Sequence, residues 1–96
     1  MSFTPGRWLR AAWIDSQEGF SVKLGRDTLI YQEGRRRMAI TVDSGGRTVV
    51  IFSKGLGRWN DDPEHSVGAE EKSRIEGNAK RALESQGYIV ELDRLH

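Results

Sequence analysis

The sequence contains no cysteine, and this absence excludes several kinds of site at once. Disulfide frameworks, thiolate metal ligands and cysteine nucleophiles all need a residue that the 96-residue chain lacks. Only two histidines occur, His65 and His96, and no serine lies in a G-x-S-x-G motif. The usual residues of nucleophilic catalysis are therefore missing, and we predict neither an enzyme nor a cofactor.

Long apolar runs are absent as well. No stretch approaches the roughly 20 apolar residues that cross a bilayer. The opening residues, MSFTPGRWLR, contain no apolar core of a signal peptide. Together with the lack of cysteine, this favours a reducing compartment, and we expect a cytoplasmic protein that does not bind membranes.

The chain also lacks an excess of either charge, since its net charge is +1. That total hides an asymmetry. Residues 1–58 hold ten Lys or Arg against five Asp or Glu, whereas residues 59–96 hold five against nine. The chain is electrostatically two-sided, but it is not the wholly basic kind of domain that usually binds nucleic acid.

The length predicts one domain with one core, spanning residues 1–96. Residues 1–19 are hard to assign, because 7–14 fit both helical and strand spacing. Strands are predicted over 20–24 and 35–43, where apolar residues alternate, and over 28–33 and 48–52, which are rich in β-forming residues. The SGG stretch at 44–46 predicts a hairpin loop. Since 48–52 is apolar on both faces, it is the best candidate for a central strand.

An amphipathic helix is predicted from Gly68 or Ala69 onward. Its apolar stripe consists of Ile75, Ala79, Ala82, Leu83 and Gln86. Gly87 suits the position just after the helix, and 88–93 alternates as a closing strand. The predicted fold is α+β, with an antiparallel β-meander of about five strands and one amphipathic helix packed on one face.

One candidate site is the stretch GRWNDDPEHSVGAEE at 57–71. It combines Trp59 with five carboxylates, which are Asp61, Asp62, Glu64, Glu70 and Glu71. Two interpretations of Trp59 stay open. A buried Trp59 would close the core between sheet and helix, and an exposed one would be an anchor for a protein partner. A hard metal bound by Asp61, Asp62, Glu64 and His65 is a further alternative, although the spacing matches no known metal loop.

The second candidate is the arginine run Arg35, Arg36 and Arg37. With Arg58, and with Tyr31, Lys54 and Trp59 nearby in sequence, it is a candidate for a sheet face that stacks bases and neutralises phosphates. The alternative is a solvated charge run that protects a strand edge, paired with Glu18 and Glu33.

Several segments resemble one family of small bacterial proteins. They are YQEGRRRMAI at 31–40, Trp59 followed by Pro63, and AEEKSRIEGNAKRALESQGYIVEL at 69–92. In these segments the chain resembles immunity-protein family seventy-four, whose members are encoded beside toxins in polymorphic-toxin and contact-dependent growth inhibition systems.

The resemblance implies a cytoplasmic protein without catalytic activity that binds and neutralises one cognate toxin domain, for example a nuclease. Under this hypothesis the toxin-binding residues are Trp59, Asp61, Asp62, Glu64, Glu70 and Glu71, which imitate a nucleic acid. The alternative contact surface contains Arg35, Arg36, Arg37 and Arg58. A small module that binds RNA or other single-stranded nucleic acid through the arginine-rich sheet face is the alternative function.

Overall fold

The computed structural model describes residues 13–93, which form one six-stranded sheet and one helix. The strands are β1 (Trp13–Asp15), β2 (Phe20–Leu24), β3 (Thr28–Glu33), β4 (Arg36–Gly45), β5 (Thr48–Leu56) and β6 (Ile89–Asp93). The helix α1 (Ala69–Ser85) lies between β5 and β6 in the chain. The predicted α+β class with one helix is confirmed, and the sheet has six strands where about five were expected.

The strands follow one another across the sheet in chain order, from β1 to β6. All neighbouring pairs are antiparallel except β5 and β6, which are parallel. The expectation of a purely antiparallel sheet is therefore wrong at its last strand. The reason is that α1 carries the chain back along the sheet before β6 begins, and such a crossover brings a strand in parallel to its neighbour.

The strand predictions agree closely with the observed bounds. The predicted central strand is confirmed, since β5 lies between β4 and β6. The hairpin loop is tighter than predicted, because β4 continues to Gly45 and the turn lies at Gly46 and Arg47. In the ambiguous segment 7–14, residues 13 and 14 belong to a strand, and the remainder lies outside the described residues.

The core lies between α1 and one face of the sheet. Its largest fully buried side chains include Tyr31, Leu29, Ile40, Ile51, Ile75 and Leu83. Strands near both edges contact the helix, β1 and β2 on one side and β5 and β6 on the other. The helical stripe is confirmed at Ile75, Ala79, Ala82 and Leu83, which are buried. No helix in the described part of the chain combines the length and the apolar character that a membrane span needs.

The pairing of β4 with β5 contains an irregularity that positions the following loop. Val42 pairs with Ile51, but Ile40 pairs with Leu56, so the chain bulges between these two points. A Cβ atom on Gly57 would lie 2.7 Å from the carbonyl oxygen of Ala39. Only glycine allows this close approach of the loop to β4.

Candidate functional site

The loop at 57–68 is tied to β4 by backbone hydrogen bonds. Gly57 N–H donates to the Ala39 carbonyl at 2.9 Å, and Asn60 N–H donates to the Arg37 carbonyl at 2.9 Å. The Asn60 side-chain oxygen in turn accepts a bond from Arg37 N–H at 2.8 Å. The start of this loop is therefore held in one position on the sheet.

Trp59 is buried, with 3% of its surface exposed. Its indole N–H donates to Glu71 Oε2 at 3.2 Å, and its ring lies 6.1 Å from the ring of Tyr31. The expectation of an exposed aromatic anchor is wrong, and the interpretation in which Trp59 closes the core is confirmed. The physical reason is that the loop crosses the end of the core. There the apolar part of the indole is removed from water, and its N–H still has a hydrogen-bond acceptor.

The carboxylates predicted to bind a partner fall into two groups. Asp61 pairs with Arg36 at 3.1 Å, and Glu71 lies 3.8 Å from Arg36 and 3.6 Å from Arg74. Asp62 contacts His65 at 2.6 Å. Glu64 and Glu70 are exposed and make no ion pair with any residue in 13–93. Arg36 thus brings Asp61 and Glu71 together and compensates part of their charge. Asp62 and Glu64 follow Asp61 in the loop, Glu70 precedes Glu71 at the start of α1, and this part of the molecule is called here the acidic end.

The arginine run is divided between the two faces of the sheet. Arg35 is exposed in the turn before β4. Arg36 places its guanidinium carbon 4.3 Å from the centre of the Trp59 ring, on the side of the carboxylates. Arg37 is exposed on the opposite face, where its Nε donates to Gln32 Oε1 at 2.8 Å. Successive strand residues point to opposite faces, so the three arginines do not form one surface.

Two other expectations about this region are wrong. Tyr31 does not line an exposed face, because it is fully buried. Glu33 and Glu18 do not pair with the arginine run, since Glu33 binds Arg74 at 2.7 Å and Glu18 binds Arg81 at 3.2 Å. Both carboxylates therefore connect the sheet to α1.

A polar network lies beneath these ion pairs. The Tyr31 hydroxyl donates to Glu33 Oε2 at 2.8 Å and accepts from Asn78 Nδ2 at 2.9 Å. Arg81 donates to the Asn78 side-chain oxygen. Burial of the hydroxyl, together with its hydrogen bond to Glu33, raises the pKa of Tyr31 to about 12. The hydroxyl is therefore neutral at physiological pH, and the network is part of the packing between sheet and helix.

The proposed metal ligands do not form a cluster. Asp62 and His65 are in contact, but residues 13–93 contain no group of three or more His, Asp or Glu side chains arranged around one ion position.

Two open recesses also border the loop at 57–68. Sequence reasoning missed them, although the hairpin spacing of β2 and β3 would have placed Lys23 and Ile30 side by side.

Comparisons with protein-family models, with curated proteins and with solved structures find no match to this chain.

Proposed function

We propose that this chain is a cytoplasmic immunity protein that binds a cognate bacterial toxin domain and neutralises it, without catalysing a reaction. The observation that supports this proposal is the ordered acidic end of the molecule. Glu64 and Glu70 are exposed and form no ion pair among the described residues, and Asp62, two residues before Glu64 in the same loop, is half-exposed. Such a surface complements a basic polypeptide.

The fixed loop favours binding to a partner. Because Gly57 and Asn60 are hydrogen-bonded to β4, the start of the loop does not have to become ordered when a partner binds. Preorganisation of this kind lowers the entropic cost of binding. A negatively charged surface also speeds association with a positively charged partner, such as the phosphate-binding cleft of a nuclease.

Each predicted contact residue has a different part in this proposal. Trp59 supports the loop from inside and does not touch the partner. Asp61 and Glu71 are shared with Arg36, so they contribute less free charge. The carboxylates that meet the toxin are then Asp62, Glu64 and Glu70. From the alternative contact surface, Arg36 binds Asp61 here, and Arg58 donates to the Pro63 carbonyl at 3.0 Å within the same loop.

The proposal is tested with the C-terminal domain of the secreted toxin encoded next to this gene. Co-expression of the chain should restore growth of cells that produce that domain. Calorimetry should then show that E64K/E70K binds at least about tenfold more weakly than the wild type, because two attractive charges become repulsive. These positions are chosen because neither carboxylate forms an ion pair within the described residues.

The matched control is D43K/E91K, which reverses two exposed carboxylates that form no ion pair within the described residues and lie on β4 and β6, on either side of Val50. It changes the net charge by the same amount and should change the affinity by no more than about twofold. Equal weakening of both double variants would argue against the acidic end as the contact surface. Failure of the wild type to restore growth would overturn the function itself.

A further inference from the structure

The face of the sheet turned away from α1 carries a row of neighbouring side chains. The strand register pairs Trp13 with Lys23, Lys23 with Ile30, and Ile30 with Ala39. A recess of about 390 Å³ opens on this row. Lys23, Arg37 and Arg58 are among its lining residues, and no carboxylate is.

A second recess, of about 210 Å³, adjoins the first at Arg58. It adds Lys54 of β5 and Lys72 of α1, so it turns from the outer face toward the helix. No carboxylate lines it, although Lys72 also lines a neighbouring recess with Glu76. The hydroxyl of Ser53 borders this recess and has no hydrogen-bond partner, although the residue is only 6% exposed. The two recesses together form a continuous surface, called here the cationic track, of Lys23, Arg37, Arg58, Lys54 and Lys72.

The cations of the track lack carboxylate partners. Arg36, Arg74 and Arg81 each pair with a carboxylate. None of the five track residues forms an ion pair with any residue in 13–93. Because these five cations are uncompensated and line two adjoining recesses, the track attracts an extended polyanion.

An aromatic residue stands at one end of the track. Trp13 is half-buried, with Lys23 Nζ and Arg37 Cζ each 5.6 Å from its ring centre. Proteins that bind single strands combine a cationic groove, which follows the phosphates, with an aromatic ring on which a base stacks. An acidic protein surface would match the charge of the track, but it contains no base that stacks on the Trp13 ring.

We propose that the cationic track binds single-stranded nucleic acid, with phosphates along the five cations and one base stacked on Trp13. This activity is separate from the toxin-binding function and uses none of the carboxylates at the acidic end.

The first experiment measures the binding of a fluorescent oligouridylate by anisotropy at several salt concentrations. The wild type should bind, with an affinity that falls as salt rises. K23Q/K54Q should bind about tenfold more weakly, and the slope of log K against log salt should flatten by about 1.4, or about 0.7 for each lost phosphate contact.

The control is R26Q/R47Q, which removes two exposed, unpaired cations outside both recesses. It should keep the wild-type slope and bind within about twofold of the wild type. Equal weakening of the two double variants, or no binding by the wild type at low salt, would overturn the proposal. Circular dichroism confirms that each variant is folded.

Trp13→Leu then separates nucleic acid from other polyanions. This variant should lose about tenfold in affinity with an unchanged salt slope, because a stacking contact is removed and no charge is changed. Polyglutamate, used as a competitor, should displace the oligonucleotide poorly. Wild-type affinity in Trp13→Leu, or polyglutamate competing as well as unlabelled oligouridylate, would identify an acidic polypeptide as the occupant instead.

Discussion

At the scale of single residues, Trp59 contacts charged groups on two sides although its own side chain is buried. The Arg36 guanidinium lies over its ring, and Glu71 accepts its indole N–H. A cation over a desolvated ring is worth about 2 kcal/mol, more than at an exposed site. Arg36 and Glu71 therefore stabilise the packing of Trp59. For this reason the unpaired carboxylates Glu64 and Glu70 are better candidates for binding a partner.

The Tyr31 hydroxyl connects the sheet to the helix through hydrogen bonds. Its hydroxyl joins Glu33 on β3 to Asn78 on α1. Removing one member of such a buried network leaves the others without partners, which costs about 1–3 kcal/mol. The network thus makes the position of the helix on the sheet specific, at a point where apolar contacts alone would tolerate sliding.

Raising the pH should destabilise the protein through Tyr31. Burial first, and the bond to Glu33 next, raise its pKa from 10.0 to about 12. Because the folded-state pKa is the higher one, the stabilisation is complete below pH 10.0 and is lost as the pH rises to about 12. The free energy of unfolding should fall by about 3 kcal/mol across this window.

Urea denaturation at several pH values checks this prediction. Tyr31→Phe has no hydroxyl to ionise, so its stability should be lower at neutral pH but should fall less across the same window. Tyr88→Phe is the control and should keep the wild-type fall, since Tyr88 is outside the network. A parallel pH profile for Tyr31→Phe and the wild type would contradict the prediction.

At the scale of elements, α1 contains residues that would be unfavourable in an isolated helix. Gly77 and Asn78 lie near its middle, and both have low helix propensity. Asn78 is nevertheless buried and bonded to Tyr31, so tertiary contacts compensate for its propensity. Gly77 has no such contact, because a Cβ atom there would meet nothing within 4 Å.

The same substitution at a glycine inside α1 and at a glycine just after its end should have opposite effects. Gly77→Ala should raise the free energy of unfolding by about 1 kcal/mol, because alanine loses less backbone entropy in a helix and the space is open. Gly87→Ala should lower it by about 1–2 kcal/mol, because Gly87 has φ +91°, where a Cβ atom is strained. Chemical denaturation followed at 222 nm measures both, and a gain in stability at Gly87 would contradict this account.

At the scale of the whole molecule, folding sorts the charges that the sequence distributes along the chain. Carboxylates of the second half meet arginines of the first half at one end, as in the pair of Asp61 with Arg36. The cations of the track remain unpaired, from the outer face of the sheet to Lys72 at the start of α1. A near-neutral protein therefore presents carboxylates and cations on different parts of its surface, and we propose a different class of partner for each.

The order of the strands predicts how protection from hydrogen exchange is distributed. β3 and β4 have a paired strand on both sides, whereas β1 has three residues and its only described partner is β2. Amides in β3 and β4 should exchange only on global unfolding, and those of β1 should exchange by local opening at least about tenfold faster. Exchange measured by NMR tests this, and equal protection of β1 and β4 would show that the sheet opens as one unit.

Much of the local structure is predictable from the sequence, because side-chain periodicity depends only on neighbouring residues. Alternation at Met38, Ile40 and Val42 predicts β4, and the spacing of Ile75, Ala79 and Leu83 predicts the buried stripe of α1. The candidate site was less predictable. The loop at 57–68 lies between β5 and α1 as expected, and burial was one of the two interpretations left open for Trp59. The separation of Arg36 from Arg37 onto opposite faces of the sheet was not anticipated.

The sequence by itself determined where β2 to β6 and the helix lie, and which side of α1 is apolar. The tertiary structure alone decided that β6 runs parallel to β5, that Arg36 meets Asp61, and that the track cations stay unpaired. These features join residues far apart in the chain, as in the contact between Tyr31 and Asn78. No local pattern encodes such pairs, because strand direction, register and the path of the loop are set by how the elements pack together.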